Sequence, residues 1–289
     1  MNPDEYCQQK AAQSGSSFYY SFMFLPATQR RAITAMYAFC READDTVDEC
    51  ADPTIAEARL NWWHSEVKRL FDNAPSHPVT KALASVMDQF NFHKEHMDEI
   101  LDGMSMDLNI THYESFDDLM LYCHRAAGVV GLLAAEIFGY KNDDTLKFAE
   151  NLGIAFQLTN IIRDVKEDAL RGRIYLPMED LRAHQVEAED LSADVTSENT
   201  RALIRFQVER AQEYYNKAFE LLPPEDRYSQ RSSLIMSSIY QTILNEIIKD
   251  NYKVMEYRIK LTPLRKLWIA WRTYRRENKL HKKSCKQNS

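Results

Sequence analysis

The chain has 289 residues, of which 45% are hydrophobic and 27% are charged, with only seven glycines and nine prolines. This composition excludes a largely disordered chain, and without a Ser/Gly linker or an internal repeat it favours one domain. The formal net charge of −7 argues against a nucleic acid as a partner.

The cysteines and the N-terminus bear on location. The five cysteines are odd in number and lack Cys-x-x-Cys spacing, which argues against a disulfide framework or a zinc site and favours a reducing, cytoplasmic compartment. Residues 1–5 are polar and acidic, so no signal peptide is expected. The longest apolar run, Ala126 to Ala135, has ten residues. A membrane span needs about 20, so we expect a protein that is soluble or lies on a membrane surface.

The first aromatic segment, Ser16 to Leu25, precedes Pro26. It has strand propensity, although Phe18 and Phe22 also share a helical face. Two interpretations remain open: a hydrophobic lead-in that packs on the core, or an aromatic wall for an apolar ligand.

Helical periodicity dominates the rest of the chain. Helices are predicted, in chain order, at about 26–50, 53–73, 78–92, 115–140, 142–168, 199–221, 225–255 and 263–283. Asp52 and the Ser115-x-x-Asp118 sequence are typical N-terminal caps. The fold class expected is all-α, a single helical domain around a central cavity.

An acidic motif occupies one face of the first long helix. Tyr37, Arg41, Asp44 and Asp48 follow one another at steps of four, three and four residues, so all four side chains share a face. Their neighbours are apolar, which indicates a helix of the core.

A second acidic motif lies far downstream. Asn160, Asp164 and Asp168 are spaced by four residues, with Gln157 one turn earlier and Arg163 between them. Carboxylates stacked on a partly buried face must be protonated or bind a cation. Oxygen ligands with excess negative charge suit Mg²⁺, which also bridges to phosphates. We therefore predict a diphosphate site with several Mg²⁺ between two facing helices; the alternative is two solvated acidic faces.

Two further segments have two interpretations each. The small residues from Ala126 to Gly131 allow close approach of another helix or of a flat ligand. Tyr122, one to two turns upstream, can place its phenol at the entrance to this contact region. After the second motif, Arg171-Gly172-Arg173 can fold over an anion as a basic flap, or can simply end the helix.

The C-terminal part is basic. From Arg258 onward there are eleven Lys or Arg residues and one acid, Glu277. The last predicted helix places Trp268 and Trp271 beside several arginines, a pattern typical of helices that lie on anionic membranes. The alternative is a solubilising tail.

Taken together, these motifs resemble the squalene/phytoene synthase family over about residues 4–270, which leaves residues 271–289 as a basic tail. The segments that carry the resemblance are Ser17-Phe18 with Leu25-Pro26, Tyr37 to Asp48, Tyr122 to Gly131, Gln157 to Asp168 and Arg171 to Pro177. The N-terminal portion, including Ser14-Gly15-Ser16, is most similar to bacterial members of the hopanoid pathway. One departure is Arg125, whose role is not assigned.

The resemblance implies an isoprenoid synthase fold and a role for each motif residue. The implied metal ligands, for two or three Mg²⁺, are Asp44, Asp48, Asn160, Asp164 and Asp168. The implied catalytic residues are these four aspartates with Tyr37 and Tyr122. The implied substrate-binding residues are Ser17, Phe18, Phe22, Arg41, Gln157, Asn160, Arg163, Arg171, Arg173 and Tyr240.

The resemblance also implies a reaction. The expected activity is the Mg²⁺-dependent condensation of two farnesyl diphosphates to presqualene diphosphate, without NADPH, and with release of the product to downstream squalene-forming enzymes. Complete squalene synthesis and dehydrosqualene or phytoene synthesis are alternatives. A non-catalytic assembly subunit at a membrane surface is an alternative of another class. The expected location is the cytoplasm, with peripheral contact to the inner face of a bacterial membrane.

Overall fold

The structure is a computed structural model that describes residues 2–13, 17–50 and 52–287. Its α-helices are α1 (Pro3–Gln13), α2 (Ser17–Phe22), α3 (Ala27–Asp48), α4 (Pro53–Phe71), α5 (Pro78–Met87), α6 (Lys94–Asn109), α7 (Phe116–Cys123), α8 (Val129–Phe138), α9 (Asp144–Leu170), α10 (Met178–Ala183), α11 (Glu198–Leu221), α12 (Arg231–Lys249) and α13 (Pro263–Gln287). A π-helical segment, His124–Gly128, joins α7 to α8, and a 3₁₀ turn covers Ala188–Ser192.

The all-α prediction is confirmed, since the described residues form no strand. The aromatic segment is the helix α2, and the strand propensity at this position was therefore misleading; Ser14, Gly15 and Ser16 lie outside the described residues. Tertiary packing overrides propensity here, because Phe22 is buried on the inner side of α2.

Helix ends agree with the predictions where a cap is encoded. The Asp52 side chain accepts a hydrogen bond from the backbone N–H of Thr54, and Ser115 and Asp118 form a reciprocal capping box. Two predicted helices were too long: α5 ends at Met87 and not near residue 92, and α12 spans Arg231–Lys249 and not 225–255.

The predicted helix over 115–140 contains a π-helical turn, where the chain takes an extra residue per turn. The stretch Phe116–Phe138 is 23 residues long, and it is the one described stretch that is apolar enough on average to cross a membrane. The ten-residue run from Ala126 to Ala135 therefore underestimated the length of this apolar stretch. It packs against α6 and α9, with 44% of its most apolar window buried, and core helices of soluble proteins meet the same criterion. It is weak evidence for a span.

Two hydrophobic clusters form the core. One is built around α9, α11 and α12, and the other around α3, α4, α5 and α6. Phe18 and Ala126 pack against both clusters. The boundary between the two clusters is therefore where a cavity can open, and the functional residues lie along it.

The small residues of the π-helical segment and α8 are needed for helix packing. A Cβ atom at Gly131 would lie 2.2 Å from the carbonyl oxygen of Ala149, and one at Gly153 would lie 2.3 Å from that of Ala127. Both distances are far below van der Waals contact, so α9 approaches this region as closely as its backbone allows. The helix-packing interpretation of Ala126 to Gly131 is confirmed, although Ala126, Ala127 and Gly131 also line the cavity.

Candidate active site

One cavity lies between the two clusters, with about 1170 Å³ of free space when its open mouth is included. Nine of the predicted site residues line it: Phe18, Phe22, Tyr37, Arg41, Asp44, Tyr122, Gln157, Asn160 and Tyr240. Five different helices supply them. The sequence motifs therefore converge on one site.

The inner part of the cavity is aromatic. The Phe18 ring lies 5.4 Å from Tyr37, 6.2 Å from Phe22 and 6.5 Å from Tyr240, between ring centroids. Phe156 lies 4.7 Å from Tyr240. Such a wall binds apolar chains and offers ring faces to a cation. The aromatic-wall interpretation of residues 16–25 is thus supported, while Phe22 also belongs to the core.

A tyrosine–aspartate network forms part of the polar wall. The Tyr122 hydroxyl donates to Asp107 at 3.0 Å, and the Tyr175 hydroxyl donates to the other oxygen of Asp107 at 2.8 Å. The Gln157 amide nitrogen lies 3.5 Å from the Tyr122 hydroxyl. Burial raises the pKa of Asp107 to about 6, although both tyrosines work against this shift. Burial also raises the pKa of Tyr122 well above its ordinary value. Tyr122 is therefore a neutral phenol near pH 7.

The first acidic motif faces the cavity mouth. Arg41 forms ion pairs with Asp44 and Asp45, and Arg173 donates to Asp48 at 2.8 Å. Burial raises the pKa of Asp44 to about 6; Arg41 opposes the shift and Asp48 adds to it. Ionised Asp44 is therefore costly in this buried position, although Arg41 and Arg173 lie close to it.

The second acidic motif has unequal members. Burial raises the pKa of Asp168 to about 7, helped by the charge of Asp164 and opposed by Arg171 and Arg173. Burial acts on Asp164 in the same way, but Arg163 and Arg258 outweigh it, so the pKa of Asp164 is lowered. Arg258 holds Asp164 at 2.6 and 2.9 Å.

The flap joins the two motifs. Arg173 contacts Asp48 directly, and its charge lowers the pKa of both Asp44 and Asp168, so the two acidic motifs flank the same mouth. The flap turns at Gly172, where φ is +79°, and is held by the Ile174 N–H, which donates to the Thr111 carbonyl at 2.8 Å. Arg171 is exposed and acts on the site through its charge.

A basic pocket adjoins the aromatic cavity and shares Phe18, Tyr37, Arg41, Asn160 and Tyr240 with it. Its other polar lining consists of Ser17, Arg163, Arg258, Lys260 and Lys266. The predicted residues Ser17 and Arg163 therefore lie in this pocket, next to the cavity. Cationic side chains beside an apolar cavity are the arrangement that an anion with a long hydrocarbon chain requires.

Sequence comparison provides the deciding observation. The sequence model of squalene/phytoene synthase matches residues 11–265. The chain belongs to the squalene/phytoene synthase family. This family consists of prenyltransferases that join isoprenyl diphosphates head to head, so this part of the prediction is confirmed.

Curated relatives and solved structures agree with this assignment. The chain is 34% identical to a phytoene synthase of Arthrospira platensis over 279 residues, covering 91% of this chain and 89% of that protein. It is 37% identical to a phytoene synthase of Mycobacterium tuberculosis over 257 residues, covering 88% and 84%.

Two solved structures share both the fold and more than a quarter of the aligned sequence. A dehydrosqualene synthase solved with a ligand superimposes with a TM-score of 0.84 and 29% identity, covering 96% of this chain and 97% of that one. The squalene synthase HpnC from Alicyclobacillus acidocaldarius gives 0.77 and 26%, covering 87% and 95%. The isoprenoid synthase fold is confirmed.

Members of this family generally depend on a divalent metal. Within the described part of the chain, no three His, Cys, Asp or Glu side chains converge on one point. Mg²⁺ does not need such a cluster, because it takes one or two carboxylates and fills its other positions with water and phosphate oxygens. The side-chain amide oxygen of Asn160, Oδ1, is buried without a hydrogen-bond partner. Asp44 and Asp168 have raised pKa values. An unpaired amide oxygen and buried carboxylates that are costly to ionise fit a cation, which would stabilise their charged form.

Three residues of the site were missed from the sequence. Asp107 lies on α6 between Met106 and Leu108, and a carboxylate between two apolar residues was a signal that the sequence offered. Tyr175 lies within the segment Arg171 to Pro177, but the sequence indicated no role for it. Arg258 lies in the irregular segment after α12, where Asn251 and Tyr252 have positive φ, and no periodicity marks it.

Proposed function

We propose that this protein condenses two farnesyl diphosphates, with Mg²⁺, to presqualene diphosphate. The observation that carries the proposal is the junction of an aromatic cavity with a basic pocket, flanked by two acidic motifs that Arg173 links. Prenyl chains fit the aromatic part and their diphosphates fit the charged mouth. The proposed metal ligands are Asp44, Asp48, Asn160, Asp164 and Asp168, and bound Mg²⁺ would stabilise the departing diphosphate as a Lewis acid.

The first step breaks the allylic C–O bond of the donor. The electron pair leaves with the diphosphate, and an allylic cation remains. Arg163, Arg258 and Lys266 face the basic pocket and neutralise the charge that develops on the diphosphate oxygens. Arg258 also pairs with Asp164, which holds its guanidinium beside the basic pocket that it lines.

The second step joins the two chains. The double bond of the acceptor attacks C1 of the allylic cation, and the positive charge moves to C3 of the acceptor. The same donor carbon then loses a proton, and the electron pair of that C–H bond forms the bond to C3 that closes the cyclopropane ring. The departed diphosphate is the favoured base, because the raised pKa values of Tyr122 and Tyr240 describe neutral phenols that hold their own protons. We infer that these hydroxyls orient groups in the site and do not remove the proton. The aromatic wall around Phe18 excludes water while the cation exists.

A C20 donor is the second candidate, because the curated relatives named above are phytoene synthases. We favour farnesyl diphosphate for two reasons. The two solved structures named above are a dehydrosqualene synthase and a squalene synthase, and the squalene skeleton contains two farnesyl units. Two large side chains, Phe22 and Phe138, also line the cavity, and we expect them to favour the shorter prenyl chain.

We further propose that the product is released to separate downstream enzymes without reduction by NADPH.

A purely structural role at a membrane would not require the repelling carboxylates of both motifs, whose raised pKa values show that they cost free energy.

An end-point incubation tests this proposal. Purified protein is mixed with farnesyl diphosphate and Mg²⁺, with and without NADPH, and the products are identified by mass spectrometry. A C30 cyclopropyl diphosphate in both reactions is the expected result. Conversion to squalene when NADPH is present would overturn the release step, and no C30 product in either reaction would overturn the choice of donor.

A further inference from the structure

Helix α13 has two different faces. On one side Ile269, Ala270, Thr273 and Glu277 are buried against the body of the protein, largely against α12. The opposite side carries exposed apolar residues, which we call the α13 apolar face: Leu264, Leu267, Trp268 and Trp271. Leu264 is 80% exposed, and Trp268 and Trp271 are 53% and 47% exposed. Their positions at steps of three and four residues put them on one side of the helix.

The charge on this helix is uniformly positive toward solvent. Nine Lys or Arg residues lie between Pro263 and Gln287. The one acid, Glu277, is 2% exposed and is neutralised by Arg227 at 2.8 Å and Arg276 at 2.9 Å. The rest of the chain has 27 Lys or Arg residues and 42 acids, a net charge of −15.

Arginines frame both tryptophans. The guanidinium of Arg272 lies 4.9 Å from the centre of the Trp268 ring, and that of Arg275 lies 5.1 Å from the Trp271 ring. Indole rings beside basic groups on a helix suit the boundary between lipid headgroups and acyl chains, where the ring is partly buried and the charge meets anionic headgroups.

The α13 apolar face begins at the rim of the substrate site. Pro263 and Lys266, in the first turn of α13, line the basic pocket. Helix α13 also packs against α2, and Phe24, just after α2, stacks on Tyr274 at 4.4 Å. Tyr19 of α2 and Met23, which follows α2, are exposed, whereas Phe18 and Phe22 line the cavity. A surface bound by α13 would thus lie beside the entrance to the cavity.

We propose that the α13 apolar face docks on an anionic lipid bilayer. Nucleic acid does not explain the exposed leucines, whereas a lipid surface accounts for both the leucines and the arginines. Because the remaining surface is acidic, an anionic bilayer repels it, so the protein docks in one orientation. That orientation brings the rim of the basic pocket to the headgroup layer, where prenyl diphosphates, which are amphiphiles, partition.

The test measures binding of the full chain to vesicles of phosphatidylcholine, alone or mixed in equal parts with phosphatidylglycerol. Strong binding is expected for the mixed vesicles only. The double variant Arg272→Gln/Arg275→Gln should lower the partition coefficient by about 30-fold, because each basic residue near an anionic surface contributes about 1 kcal/mol. Trp268→Ala/Trp271→Ala should lower it by about tenfold or more. Circular dichroism checks that each variant is folded.

Helix α4 supplies matched controls, because it carries exposed Trp62, Arg59 and Lys68 away from α13. Trp62→Ala and Arg59→Gln/Lys68→Gln should bind vesicles as the unchanged protein does. The measurement needs no turnover, so its outcome is independent of the proposed reaction. Equal loss in the α4 variants, or equal binding to both vesicle types, would overturn the proposal.

A different occupant would also be detected. If the α13 tryptophan variant bound vesicles normally but lost a concentration-dependent dimer in sedimentation, the face would be an interface between two copies, and the lipid proposal would be wrong. If the α13 apolar face docks on the bilayer, a lipid with brominated acyl chains quenches tryptophan fluorescence in the unchanged protein. The double variant Trp268→Phe/Trp271→Phe then abolishes the quenching.

Discussion

Asp44, Asp107 and Asp168 have pKa values raised to about 6, 6 and 7, first of all because burial removes water from each carboxylate. Each of these residues therefore costs free energy when it is ionised in the metal-free protein. A bound cation reverses the sign of this contribution, because it stabilises the charged form. Metal affinity should accordingly rise with pH through about 6 to 7.

Asp168→Asn should remove one part of the pH dependence of stability. Between the unfolded pKa of about 3.9 and the folded value of about 7, the folded protein binds more protons than the unfolded one, so this residue makes stability fall as pH rises. The variant should thus become more stable relative to the unchanged protein as pH rises from about 4 to 7. Urea unfolding in metal-free buffer measures the difference. The exposed Asp88→Asn is the control, and a pH-independent difference for Asp168→Asn would contradict the assignment.

Asp107 acts on the site through Tyr122, whose hydroxyl donates a hydrogen bond to it. Asp107→Asn and Tyr122→Phe should each lower kcat by about tenfold, since each weakens a charge-assisted hydrogen bond of about 1.5–3 kcal/mol. Because both variants remove the same hydrogen bond, the double variant should be little worse than either single one. Fully additive losses in kcat would show that the two residues work separately.

At the scale of elements, the segment after α9 lies beside the first acidic motif, where Arg173 contacts Asp48. Arg173→Ala should raise KM for the prenyl diphosphate by about tenfold, the effect of losing one charge-assisted contact. Arg171→Ala, on the same flap but exposed, should change KM much less. Steady-state kinetics decide the matter: equal effects of the two substitutions would mean that the flap acts only by its total charge.

The contact between α9 and the helices that precede it depends on glycine. Gly153→Ala places a methyl group 2.3 Å from the carbonyl oxygen of Ala127, so the two helices must separate. We expect a loss of about 1–3 kcal/mol in the free energy of unfolding. Helix propensity alone predicts the opposite, a gain of about 1 kcal/mol. Urea denaturation therefore gives results of opposite sign for the two effects.

The helices could be predicted where the sequence carries local signals. Asp52 and Ser115 encode caps, and the acidic motifs encode their own helical faces by spacing. The end of α5 and the start of α12 have no such signal, and tertiary packing sets them. The aromatic segment was ambiguous for the same reason, since packing of Phe22 and not propensity decides that α2 is a helix.

For the whole molecule, the site lies where two hydrophobic clusters meet. Nine of the predicted site residues line the cavity, because each motif lies on one helical face and the family resemblance relates the motifs to one another. It did not predict Arg258 or Asp107, whose roles arise from contacts between elements distant in sequence. The ion pairs of Arg258 and Arg173 with the acidic motifs are likewise visible only in the folded chain.

The choice between a C15 and a C20 donor is a property of the entire cavity and not of any one motif. The donor can be determined by a competition between farnesyl and geranylgeranyl diphosphate at equal concentration, with Mg²⁺ and with products identified by mass. We predict that the C30 cyclopropyl diphosphate dominates, and that Phe22→Ala, which removes a large side chain from the cavity lining, increases the C40 share. A C40 product as the main species from the unchanged protein would contradict it.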